Sequence, residues 1–324
     1  MELIDRYVHY VRDIRRYSPR TVSIYSDVLK DFAEYILRDV HEPVDDDLLL
    51  SLNPSMIRQY EVYMLDDKGN KAKTVNMHLS VLSGFCRFLM KEGVMKANPV
   101  RLVHRPKMEK RLPEFYRPDA LSAYFEKTEF WSSTDALTIF QHEPQSDSGK
   151  KYYEKRLARL IVSLFYGLGL RRAELIGLTI ASIDTGRKVV NVVGKGNKSR
   201  SIPLVETLSE EISSYMQAVE SLLGRTRVAS EPLLITYTSR ELYPAYVDKV
   251  IKRELGESEG FTGRKSPHVL RHSVATGLLN EGAQLNSIKE LLGHSSLAAT
   301  QVYTHNSIEK LQKIYKAAHP RAKK

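Results

Sequence analysis

His268, Arg271, His294 and Tyr303 fall in one stretch, Ser266 to His305, that reads SPHVLRHSVATGLLNEGAQLNSIKELLGHSSLAATQVYTH. Guanidinium and imidazolium groups donate hydrogen bonds to phosphate oxygens, and a phenol is a nucleophile that can attack phosphorus. His268 and Arg271 are three residues apart, a spacing that puts both on one helix face. His268 and His272 are four apart, the spacing of a helical zinc pair. Val269 stands where the glutamate of that motif would follow, and no third ligand cluster appears, so zinc is set aside and His272 is read as structural.

Short helices and tight turns must hold these groups. Ser266 is placed to cap a helix whose first residue is Pro267, where the missing N–H costs nothing. Gly282 is placed to end it in a left-handed C-cap. A second short helix carries Ile288, Leu291 and Leu292 and stops at Gly293, with His294 next in GHSS.

Upstream, a strongly apolar helix from Leu157 to Leu168 delivers Gly169-Leu170-Arg171 to its C-terminal end. A fresh helix, AELIGL, follows, and Glu174 is an ion-pair partner for Arg171. Ile180–Ile183, Val189–Val193 and Arg200–Leu204 read as β structure, with GKGNKSR as a glycine-bearing hairpin turn. Helical periods return at 206–224 and 246–254. The polar segment 128–150, which follows a helix capped by Asp119, reads as a surface insertion with no assigned role.

Residues 1–100 read as helices. Leu3, Ile4, Tyr7, Val8, Val11 and Ile14 recur at helical spacing. Ser18-Pro19 and Asn53-Pro54 open two more helices, and HEPVDDD interrupts between them. Val75, Leu79, Leu82, Cys86 and Leu89 make a fourth stripe, where Cys86 is a small core residue. Residues 101–111 form a basic, proline-bearing linker, and residues 112–324 form the second domain.

The chain has 324 residues and a net charge of +10, enough length for two domains and a basic surplus that suits a polyanionic partner. Its single cysteine excludes an internal disulfide and suits a reducing cytoplasm. The first residues lack the apolar core of a signal peptide, and no apolar run is long enough to span a membrane. A cytoplasmic protein that needs no metal or other cofactor is expected.

HVLRH, LLGHSS and TQVYTH resemble the C-terminal signature of the tyrosine recombinases, the integrase family of site-specific DNA recombinases. GLGLRRAELIGL is similar to that family's first arginine motif, and GKGNKSRSIPL to its hairpin lysine motif. The motifs occur in the family's order over nearly the whole chain. The resemblance implies a mainly α fold with a small β-sheet: a helical, SAM-like N-terminal core-binding domain, then a mixed α/β catalytic domain.

It implies catalytic roles for Arg171, Lys195, His268, Arg271, His294 and Tyr303, with Glu174 orienting a guanidinium. Tyr303 would form a 3′-phosphotyrosyl link without metal or ATP. Double-stranded DNA at a specific target site is the expected partner. Arg20, Lys71 and Lys73 are candidate phosphate contacts at a helix start and in a turn, and Lys198 and Arg200 are weaker ones. An amphipathic helix at 307–318 is expected to dock on a neighbouring protomer, in a homo- or hetero-tetramer on two DNA sites.

Within the family the chain looks most like the Xer group, which resolves chromosome dimers. Core-binding helices are expected from its first residues, with no arm-binding domain expected ahead of them. An integrase or invertase of a mobile element is the alternative. A type IB topoisomerase fits the helical N-terminal unit less well, and a DNA-binding protein without catalysis would not need the full residue set.

Overall fold

The structure is a computed structural model and describes residues 2–40, 45–108, 114–194 and 198–293. The chain divides into two compact units, Met1–Arg111 and Leu112–Lys324.

The first unit is helical: α1 (Glu2–His9), α2 (Pro19–Tyr35), α3 (Asp46–Leu50), α4 (Pro54–Val62) and α5 (Ala72–Lys91). Ser18 caps α2 by accepting from the Thr21 N–H at 3.3 Å. Asn53 Oδ1 caps α4, accepting from Ser55 and Met56 at 2.9 and 3.1 Å. The aspartates expected only to interrupt the chain instead build α3. Asp45 caps it at 2.8 Å, while Asp46 and Asp47 fill its first turn, where carboxylates favour the helix dipole.

Val75, Leu79, Leu82, Phe85, Cys86 and Leu89 of α5 make the centre of this unit's core. Burial pushes the Cys86 thiol up to about 12, so it is an inert core group. This core does not stop at residue 100. A 3₁₀ turn, Pro99–Leu102, packs on α5, and Val100 and Val103 are buried. Asn76 donates to the Pro106 carbonyl and Arg105 to the Ser80 hydroxyl, at 2.9 and 2.8 Å. The first part of the expected linker therefore lies along α5, and residues 109–111 lie outside the described residues.

The second unit comprises α6 (Pro118–Lys127), α7 (Thr134–His142), α8 (Asp147–Leu168), α9 (Arg172–Ile176), β1 (Ile183–Asp184), β2 (Val189–Val193), β3 (Ser199–Pro203), α10 (Glu206–Leu223), α11 (Pro244–Gly256), α12 (Pro267–Asn280) and α13 (Leu285–Leu292). The strands form an antiparallel sheet in sequence order. Ile180–Ser182 is a 3₁₀ turn where a strand was expected. Arg117 is the N-cap of α6, and Asp119 lies in its first turn, because Pro118 takes the N1 position.

Segment 128–150 is not a surface insertion. Its α7 buries Ala136, Leu137 and Phe140 against α8 and α10. Two buried arginines of α8 hold the preceding turn. Arg159 donates to the Phe125 carbonyl at 2.7 Å and Arg156 to the Ser133 carbonyl at 2.8 Å. Among the described residues, no helix is long and apolar enough to cross a membrane.

Candidate active site

Two helix ends and one strand build the site. The apolar stripe of α8 ends at Gly169, whose φ of 58° is a left-handed C-cap. A Cβ there would stand 2.5 Å from Leu292 Cδ2. Glycine is needed for the backbone angle, and the space a Cβ would take is filled by the Leu292 side chain of α13. Gly293 ends α13 in the same way, at φ 62°. Both helices thus turn their last carbonyls toward one place, the favourable position for cations.

Arg271, on α12, donates to the carbonyls of Gly169 and Leu292. Arg171, between α8 and α9, donates to the Gly293 carbonyl. The helix boundary at Ser266-Pro267 is as expected, but the cap is not. The Ser266 hydroxyl is buried and has no hydrogen-bond partner among the described residues.

Glu174 sits among the guanidiniums. Its Oε1 accepts from Arg171 Nη1 at 2.7 Å and from Arg200 Nη1 at 2.9 Å. Its Oε2 accepts from the Arg171 backbone N–H at 2.8 Å and from Arg200 Nη2 at 2.9 Å. The backbone bond is the return half of a capping box for α9. Arg271 Nη1 stands 3.9 Å from Oε2. Burial alone would raise the Glu174 carboxyl. The Arg200 and Arg171 hydrogen bonds overcome it and hold the group at about 2.

Burial, with Arg171 nearby, lowers Arg271 to about 10. Among the described residues, three guanidiniums share one carboxylate, which leaves two positive charges for an anion. The Arg171 side chain is 35% exposed, while those of Arg200 and Arg271 are 8% exposed. Arg171 is therefore the most open donor of the three.

His268 lies in the first turn of α12 and is exposed. Partial burial and then Arg172, Arg264 and Arg271 lower its pKa, so its ring is neutral at pH 7 and free to accept a proton. His272 is also exposed rather than packed in the core. Arg171, Glu174, Arg271 and the hairpin strand are thus brought together. Lys195, His294, Tyr303 and segment 307–318 lie outside the described residues.

Arg200 was expected at the surface or on phosphate and is instead buried beneath the site. In β3 it pairs with Val192 of β2, and Ile202 pairs with Val190. Strand alternation therefore puts Arg200 on the inward face. That period was readable in SRSIP, and an arginine so placed needs a carboxylate. Lys198 is exposed at the base of the hairpin, where its carbonyl accepts from the Gly194 N–H at 2.8 Å. Arg20, Lys71 and Lys73 are all exposed, at the N-terminal ends of α2 and α5.

Residues 138–310 match the phage integrase family, and residues 4–93 match the phage integrase N-terminal SAM-like domain. The chain belongs to the phage integrase family, the tyrosine recombinases, and is a site-specific DNA recombinase. Tyrosine recombinase XerC of Chlorobaculum parvum is 33% identical over 98% of this chain and 94% of that protein. XerC of Bacillus subtilis is 32% identical over 98% and 95%.

In fold, the chain resembles the XerH site-specific recombinase bound to palindromic difH substrate. The TM-score is 0.65 at 18% identity, covering 96% of this chain and 82% of that one. It also resembles a lambda integrase dimer bound to a core site, with a TM-score of 0.58 at 18% identity over 93% and 98%.

Proposed function

We propose that this recombinase is Xer-like, resolving chromosome dimers at a specific double-stranded DNA site as a cytoplasmic tetramer. The XerC relatives, similar over almost the full length of both chains, support the group. The observation that carries the chemistry is the cluster of Arg171 and Arg271 against helix-terminal carbonyls, with two positive charges left for an anion.

Arg171 and Arg271 hold the non-bridging oxygens of the scissile phosphate, and His294 donates a further hydrogen bond. Neutral His268 takes the Tyr303 phenol proton. Tyr303 Oη bonds to phosphorus as the bond from phosphorus to the 5′-oxygen breaks. Lys195 gives that oxygen its proton, leaving a 3′-phosphotyrosyl link and a 5′-hydroxyl. The covalent link keeps the phosphodiester energy, so rejoining to another strand reverses the step without ATP.

Both oxygens of Glu174 are occupied by arginine and backbone N–H groups. Glu174 therefore has no oxygen to offer a divalent cation. A nicked suicide substrate bearing the target site should yield a covalent protein–DNA adduct in EDTA, seen on denaturing electrophoresis. Adduct formation that stops in EDTA and returns with magnesium or zinc would overturn this mechanism.

Lys195→Ala should cleave ordinary DNA slowly and recover on a substrate with a bridging 5′-sulfur, whose leaving group needs no proton. General acids of this kind contribute roughly 10²- to 10⁴-fold. Equal impairment on both substrates would remove Lys195 from the role.

A further inference from the structure

We propose that Arg200 is a positioning residue that keeps Arg171 and Arg271 available to the scissile phosphate by occupying both carboxylate oxygens of Glu174. This rests on the assignment of those two arginines as phosphate ligands.

A carboxylate has about four acceptor positions. Arg200 fills one on each oxygen, in the two-pronged geometry that its planar fork favours. The Arg171 backbone N–H and Nη1 fill the other two. Glu174 is thereby saturated. Arg271 stays 3.9 Å away and bonds to neutral carbonyls instead. Arg171 gives Glu174 one prong and turns the other to Gly293. The carboxylate holds Arg171 by one prong only and leaves Arg271 to the carbonyls.

Removal of Arg200 opens two acceptor positions beside Arg271. A buried carboxylate attracts a guanidinium more strongly than a carbonyl does, so Glu174 captures Arg271 or closes on Arg171. The uncompensated positive charge falls from two to one. Arg200 also fixes the helix end that bears these carbonyls. Its Nε donates to the Leu291 carbonyl at 2.9 Å, and a Cβ on Gly293 would stand 3.1 Å from its Nη1. One side chain thus ties β3, α9 and the last turn of α13 together.

The test is single-turnover adduct formation on the suicide substrate, with target binding followed separately by gel shift. Arg200→Met should bind with near wild-type affinity and form adduct about 10- to 100-fold more slowly, on the scale set by residues that orient the ligands of metal sites. Adding Glu174→Gln removes the competing negative charge and should restore about tenfold of that loss. A purely structural Arg200 predicts the opposite, a double variant slower than either single one.

Arg200→Lys keeps the charge but cannot span both oxygens. It should be about tenfold slow, and it serves if the methionine variant does not fold. Wild-type rates in Arg200→Met or Arg200→Lys, or a double variant no faster than Arg200→Met, would overturn the role. Absence of adduct from wild-type protein run alongside would defeat the recombination chemistry, and this proposal with it.

Discussion

Tyr303→Phe should bind target DNA as the wild type does and form no covalent adduct at any time. Phenylalanine keeps the ring and lacks the one atom that bonds to phosphorus, so the loss is complete rather than graded. The chain has 18 tyrosines, which makes the position a matter for direct mapping. Several tyrosines are excluded by their surroundings. Tyr153 is fully buried, and its hydroxyl lies 3.0 Å from both the Tyr215 hydroxyl and the Ile235 carbonyl. Tyr60 is buried against His78 Nδ1 at 2.9 Å, and Tyr124 lies in the core. Burial pushes the phenols of all these residues up, away from the ionised form a nucleophile needs. Digestion of the wild-type adduct and mass spectrometry should find the nucleotide on Tyr303. A normal adduct yield from Tyr303→Phe, or nucleotide on another tyrosine, would end the assignment.

Much of this architecture is legible in local sequence signals. Ser18-Pro19, Asn53-Pro54 and Ser266-Pro267 mark three helix starts, because proline at the first helical position lacks only an N–H that has no partner there. Gly169 and Gly293 mark two helix ends, because each needs a left-handed backbone. The placement of Arg171 beside Glu174 follows from the three-residue spacing in RRAE. What is not legible depends on contacts far apart in sequence. Arg156 and Arg159 interrupt an apolar helix, and nothing local says that they reach the carbonyls of Ser133 and Phe125. Segment 128–150 hides its inward residues, Ala136, Leu137 and Phe140, among polar neighbours over two short turns. The bulk of Arg200's contacts lie with Glu174 and Leu291, one upstream and one far downstream. A basic glycine-rich hairpin reads as solvated until the strand alternation is followed inward.

Glu174→Ala should be the most destabilising change in the site. It leaves the guanidiniums of Arg200 and Arg271 buried, beside that of Arg171, without their common counter-charge. Breaking a buried pair in this way costs about 3–5 kcal/mol. A carboxyl held from 4.5 down to about 2 corresponds to a charge-linked stabilisation of about 3 kcal/mol at neutral pH. The sign follows from the depressed folded value. The unfolded chain binds the proton first as pH falls, so the stabilisation is full above about pH 5 and is lost as pH drops from 4.5 toward 2. The pH dependence expected in that window is that of the Glu174 carboxyl. Urea unfolding of wild type and Glu174→Ala, followed from pH 7 downward, should show a gap that is constant to about pH 5 and narrows below it. Glu174→Gln should lose less, since its amide oxygen still accepts from a guanidinium. A gap under about 1 kcal/mol at pH 7, too small for a broken buried ion pair, would show that the arginines do not depend on Glu174. So would a gap that stays constant below pH 4.5.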